Sequence, residues 1–282
     1  MKFLLSLAFL FIFTNAYADK IDIRNINKAI KEDNTMPSMK IHGNTNPKNG
    51  DQILVSNFSV VGNKSIQFKV APGECYDWDC EHDRERAELF SDYVNVKNKE
   101  QWYRVSFYVP KETDVLWPTR YSIWQLMAKV PSNTHKREEH KSCNKGKHLV
   151  LAMLTIKKQG IAMSRHGDVF CGGHKDYIIA RHFGANKDAF GKWIDLTMHF
   201  GFYEDPDKGF MHIYINSIPT PAFTFKGQMY RKDIKHLSMR TGLYNSYVSK
   251  SPNRGVRTLF VDNLGLGNKC KDVQTTNFCI DK

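Results

Sequence analysis

Three observations on this chain predict an all-β fold, with two antiparallel sheets packed face to face as a sandwich or jelly roll. Short β-rich runs recur at even spacing from Gln52 onward, several alternate strictly between apolar and polar residues, and no run of comparable strength has helical period. No internal repeat, low-complexity tract or linker divides this region, so it reads as one β domain over residues 51–282.

Residues 1–18 stand outside that fold. Lys2 supplies a positive start, Phe3 to Phe13 an apolar run, and Ala16-Tyr17-Ala18 a small-x-small cleavage site, which together form a secretory signal peptide pattern. The apolar run is too short to span a membrane, and no later stretch approaches the roughly 20 apolar residues a span needs. The mature chain is expected to begin near Asp19 and to be secreted or periplasmic. Residues 19–50 are polar with one weak helical pattern around Ile26 to Ile30, and are expected to form an irregular lead-in.

The β runs then follow: Ile53 to Val55, Ser65 to Val70, Tyr103 to Val109, Tyr121 to Val130, His148 to Lys157, Gly160 to Arg165, Tyr177 to His182, Trp193 to Tyr203, Phe210 to Asn216, Pro221 to Phe225, Leu237 to Tyr244 and Val256 to Leu266. In the Trp193 run, Ile194, Leu196, Met198 and Phe200 oppose Trp193, Asp195, Thr197 and His199; in the next, Met211, Ile213 and Ile215 oppose His212, Tyr214 and Asn216. Each such strand has one wet face, and the wet face of a curved sheet can form a groove for a chain-like ligand.

Six cysteines in an exported chain are expected to pair, most simply Cys75 with Cys80, Cys143 with Cys171 and Cys270 with Cys279. Zinc spacing is missed both by Cys75-x4-Cys80 with His82 and by His166, Cys171 and His174, so no metal and no cofactor is expected. The formal charge is +12, or +11 once Lys2 is lost with the leader (12 minus 1). Such a surface attracts polyanions, and export favours an acidic polysaccharide over nucleic acid.

Four stretches could carry chemistry. In Leu237 to Asn245, strand parity puts Met239, Thr241 and Leu243 on one face and Arg240, Gly242 and Tyr244 on the other. A cation, a residue without a side chain and a phenol leave room for a ligand across the strand. In Arg84 to Leu89, Ala87 and Leu89 facing the core would leave Arg86 and Glu88 together on the wet face, where the carboxylate orients the guanidinium. In Tyr121 to Met127, Gln125 lies opposite Trp124 and Leu126, and its amide can donate to a carboxylate. In Ile161 to Asp168, Ser164 and His166 take the wet face, and His166 can exchange protons near neutrality.

Taken in order, these stretches resemble family-seven alginate lyases and, more loosely, heparin lyase I and glucuronan lyases. Those families carry an Arg-x-Glu-Leu strand, a Gln-x-His strand and a late strand with Lys, Gly, Tyr and Asn on a concanavalin-like jelly roll. The counterparts are Arg86-Ala87-Glu88-Leu89, Gln125-Leu126-Met127 and Arg240-Thr241-Gly242-Leu243-Tyr244-Asn245. Trp102 to Pro110, Gly191 to His199 and Gly209 to Asn216 look like the broader heparin-lyase-like family, so the likeness covers roughly residues 52–267. Two departures stand out: Met127 where the family has His, and Arg240 where it usually has Lys.

The resemblance implies β-elimination at a uronic acid of an acidic polysaccharide. Arg86 and Gln125 would neutralise the sugar's carboxylate; Tyr244, its pKa lowered by a neighbouring cation such as Arg240, would act as acid or base; His166 would be the partner base or neutraliser. Arg240, Glu88 and Asn245 would bind substrate. The main rival is a non-catalytic sugar-binding jelly roll, with Met127 in its favour and Trp117, Trp124 or Tyr247 as platforms. A glycoside hydrolase lacks its paired-carboxylate strand, and a nucleic-acid binder lacks a recognised module. A monomer is expected.

Overall fold

The computed structural model describes residues 20–33, 38–113, 120–128, 150–157, 160–165, 179–182, 189–229, 236–251, 255–274 and 277–279. The leader, Trp117, Cys143, Cys171 and His166 lie outside the described residues. In chain order the elements are α1 (Ile23–Asp33), β1 (Lys40–Ile41), β2 (Ile53–Ser56), β3 (Ser65–Val70), α2 (Trp78–Glu81), β4 (Arg84–Phe90), β5 (Val94–Asn95), β6 (Lys99–Tyr108) and β7 (Arg120–Ala128). There follow β8 (Val150–Lys157), β9 (Gly160–Arg165), β10 (Ile179–His182), β11 (Trp193–Phe202), β12 (Phe210–Ile215), β13 (Phe223–Lys226), β14 (His236–Ser246) and β15 (Arg257–Gly267).

Two antiparallel sheets result, as the alternation predicts. The first runs β1-β4-β14-β7-β8-β9-β10, with β5 also on β14; the second runs β13-β12-β11-β6-β15-β3-β2. Their inner faces make one core: Ala87, Leu89, Trp124, Leu126, Leu154, Met163, Met239 and Leu243 from the first meet Phe68, Val105, Phe107, Leu196, Met198, Phe200, Met211 and Val261 from the second. Arg84, Arg86 and Glu88 of β4, Gln125 of β7, and Arg240 and Tyr244 of β14 are thereby turned to the outer face of the first sheet. Trp124 is fully buried in the core and supplies no sugar platform.

The 19–50 segment is not an irregular lead-in. Asp22 accepts hydrogen bonds from the Arg24 and Asn25 amides at 3.1 and 3.0 Å, starting α1 in the manner of a helix cap. Ile26, Ala29 and Ile30 form a short apolar stripe that is buried in the common core. The Asn27 amide closes the element by bonding both backbone groups of Met39, at 3.0 and 2.7 Å. So brief a stripe is weak as a sequence signal, and its packing against β2, β3 and β15 is what makes it helical.

Disulfides join Cys75 to Cys80 and Cys270 to Cys279, as the local pairing predicts. The second holds the C-terminal segment on the outer face of the second sheet, where Cys270, Val273 and Phe278 pack with Trp102 and Tyr214. Among the described residues no helix is long and apolar enough to cross a membrane.

Candidate active site

β4 and β14 are far apart in the chain but adjacent in the sheet, and their register sets the site. Arg86 lies beside Tyr244, and Glu88 beside Gly242. On the other side of β14, Arg240 lies beside Gln125 of β7. Three stretches singled out by strand parity therefore converge. Around them is a cavity of about 330 Å³ lined by Arg84, Arg86, Gln125, Met127, Arg240 and Tyr244, by Val150, and by His42, Asn44 and Trp78.

Arg86 and Glu88 are on the outer face of the first sheet but not in water, being 6% and 1% exposed. Arg86 donates Nε and Nη2 to Asp79 at 2.8 and 3.1 Å and Nη1 to Glu88 at 3.0 Å. Burial works against its charge, but the carboxylates of Glu88 and Asp79 outweigh that and hold its pKa above the ordinary value. Glu88 also accepts from Gln125 Nε2 at 2.7 Å. Burial raises the Glu88 pKa more than Arg86, Arg240 and the Gln125 bond lower it. Glu88 does not line the cavity. It accepts from both Arg86 and Gln125 and so fixes the two relative to each other.

Asp79 has no counterpart in the sequence reasoning. It sits on α2, within the ring closed by Cys75 and Cys80, and is wholly buried. The disulfide pins a turn too short to form a stable helix alone, and that turn presents Asp79 to Arg86. The same turn carries Trp78 into the cavity wall.

Beside Met127, where an imidazole was expected from the resemblance, His42 brings one to the cavity wall. Its backbone N–H donates to Glu88 O at 2.9 Å, which ties the loop after β1 to β4. Its Nε2 stands 3.3 Å from Arg86 Nη1, and its Nδ1 lies 3.2 Å from the Asn44 amide. Both neighbours can only donate, so either one bonds the ring nitrogen facing it only while that nitrogen is unprotonated. Sequence reasoning missed His42 because a two-residue strand has no readable period and eleven histidines offer no ranking.

Tyr244 lies under two cations, Arg86 at 4.3 Å and Arg84 at 5.9 Å from its ring centre. Its pKa is nonetheless raised, because burial outweighs the opposing pull of Arg84 and Arg86. The expected lowering by Arg240 is thus corrected: the phenol is held protonated, and the nearby cations are different ones.

Gly242 also has a different reason from the one expected. Its φ is +131°, and an added Cβ would lie 2.2 Å from Ala87 O and 2.9 Å from the core ring of Phe68. The glycine permits the register shift between Thr241 and Tyr244 rather than leaving space for a ligand. Asn245 is buried at 2% exposure, does not line this cavity, and its amide has no partner among the described residues. Parity sends it to the face opposite Tyr244, so it is not brought to the site. Arg240 does line the cavity, and its buried Nε also has no partner among the described residues.

A polysaccharide lyase family model matches residues 28–265. The chain belongs to the polysaccharide lyase family. Among solved structures, the lyase is similar to an endo-β-1,4-glucuronan lyase from the fungus Trichoderma reesei, with a TM-score of 0.59 and 18% identity over 79% of this chain and 90% of that one. It is also similar to the family 7 alginate lyase A1-II', with a TM-score of 0.51 and 10% identity over 76% and 83% of the two chains. Among curated proteins none matches the sequence of the lyase. At these identities the structural likenesses speak for the jelly roll, and the family match speaks for the lyase.

Proposed function

We propose that this lyase is exported and cleaves a uronic acid polysaccharide by β-elimination, with His42 as base and Tyr244 as acid. The observation that carries it is the convergence of an imidazole, a protonated phenol, an amide and arginines on one cavity. The arginines suit a polyanion. The imidazole and the phenol suit the two proton transfers that elimination requires.

Arg240, which lines the cavity, and the second N–H of Gln125 meet the carboxylate of the sugar to be cleaved. Neutralising it lets negative charge develop on the adjoining carbon and its carboxylate. His42 takes the proton from that carbon. The electron pair of the C–H bond forms a carbon–carbon double bond, the bond to the glycosidic oxygen breaks, and that oxygen takes the Tyr244 proton. Burial keeps the phenol protonated until then, and Arg84 and Arg86 stabilise the phenolate that forms. Arg86, its donors committed to Asp79 and Glu88, chiefly holds this arrangement together.

The test is the ultraviolet absorbance of the unsaturated uronic acid product across a panel of acidic polysaccharides. Absorbance rising with at least one of them is expected. No unsaturated product from any member would refute the reading.

A further inference from the structure

We infer that Arg84 is a specificity-determining residue that binds the carboxylate of the sugar next to the one cleaved, across the bond that breaks. This rests on the lyase reading. It implies a substrate with carboxylates on consecutive sugars rather than one in which uronic acid alternates with an uncharged or amino sugar.

Three other arginines of the sheets are matched by carboxylates: Arg86 by Asp79 and Glu88, Arg104 by Asp195, and Arg257 by Glu85. Arg84 has no ion pair or hydrogen bond among the described residues, although it stands on the same face of β4 as Arg86. Aromatic rings hold it instead. Its guanidinium carbon lies 4.5 Å over Trp78, which is itself stacked on His82 at 3.7 Å, and 5.9 Å from the centre of Tyr244. A guanidinium lying on a ring keeps its edge N–H groups available for a planar, bidentate partner, the geometry of a carboxylate.

Its place in the groove sets which carboxylate it meets. A second cavity of about 190 Å³ adjoins the first, and Arg84, Gln125, Val150 and Tyr244 line both. Hydroxyls of Ser122 and Ser246 and the half-exposed ring of Tyr247 complete the second, and these suit a sugar's hydroxyls and faces. Arg240 lies beside Phe90, six residues along β4 from Arg84 (90 minus 84). At about 3.3 Å per residue the two backbones are roughly 20 Å apart, too far for both side chains to grip one carboxylate. With Arg240 on the cleaved sugar and Tyr244 at the departing oxygen between them, Arg84 meets the sugar beyond that oxygen.

The experiment uses the full protein and two probes, polyglucuronate and alginate, each intact or with half of its carboxylates reduced at random to alcohols. A site needing one carboxylate finds about half of the positions competent, and a site needing two in a row about a quarter. Wild-type kcat/KM is expected to fall to about a quarter on the reduced polymer, while Arg84→Gln falls only to about half. On intact polymer Arg84→Gln should lose about 10- to 100-fold in kcat/KM, mostly through KM, as for a lost charge-assisted bond.

Arg84→Lys, which keeps a cation, should retain the steeper dependence. A loss through misfolding would lower activity without changing the dependence on carboxylate density, and thermal melting of each variant separates the two. The same ratios are to be read from binding to Tyr244→Phe, so the inference is tested even if turnover is absent. Wild type without unsaturated product refutes the lyase reading alone. Equal dependence in wild type and Arg84→Gln, or cleavage confined to an alternating glycan, overturns the role of Arg84.

Discussion

Replacing His42 by alanine removes the proposed proton acceptor while leaving the charges of the cavity in place. Arg86 keeps its bidentate bond to Asp79 and its bond to Glu88, and Gln125 keeps Glu88, because none of these passes through the imidazole. The ring's contacts include the Asn44 amide at 3.2 Å, Arg86 Nη1 at 3.3 Å and an edge contact with Phe90. Loss of a half-buried ring with such contacts should cost about 1 kcal/mol of stability or less. Loss of a general base costs about 10² to 10⁴ in rate, or roughly 3 to 5 kcal/mol of barrier. The expected pattern is therefore kcat lower by that factor and KM within about threefold of wild type. Initial rates of unsaturated product formation on the best polyuronate, with a melting curve for each protein, measure both. A variant keeping more than a tenth of wild-type kcat would refute His42 as the base and return the question to an imidazole elsewhere.

Met127→Leu should leave kcat within about threefold and stability within about 1.5 kcal/mol, since the exchange conserves volume at a position with no proton to give. Tyr244→Phe should lower kcat by about 10² to 10⁴ with polysaccharide binding retained, read by initial rates and calorimetry. Because burial raises the Tyr244 pKa, its contribution to stability is present below the unfolded value near pH 10 and is lost as pH rises toward the folded value. Alkaline melting above about pH 10 should then be steeper in wild type than in Tyr244→Phe. Gly242→Ala should cost about 3 kcal/mol or more in chemical denaturation, from strain at positive φ and from the clash with Ala87 O and Phe68. Glu85→Ala leaves Arg257, buried at 1% exposure, without its carboxylate and should cost about 3 to 5 kcal/mol, whereas Glu85→Met with Arg257→Met should cost much less.

Strand alternation was enough to determine the jelly roll and the outward face of Arg86, Gln125, Arg240 and Tyr244, because side-chain direction in a strand depends only on parity within a few residues. The short-range disulfides were legible for a similar reason, since cysteines five and nine residues apart close small loops. What the tertiary structure decided is non-local. Which strands become neighbours cannot be read from parity, and β4 meeting β14 is what sets Arg86 over the Tyr244 ring. His42 and Asp79 enter through a two-residue strand and a four-residue helix, elements too short to have a period and held in place only by the partners they contact. The Tyr244 pKa turned on a balance between burial and nearby cations, and neither quantity exists until the chain is folded.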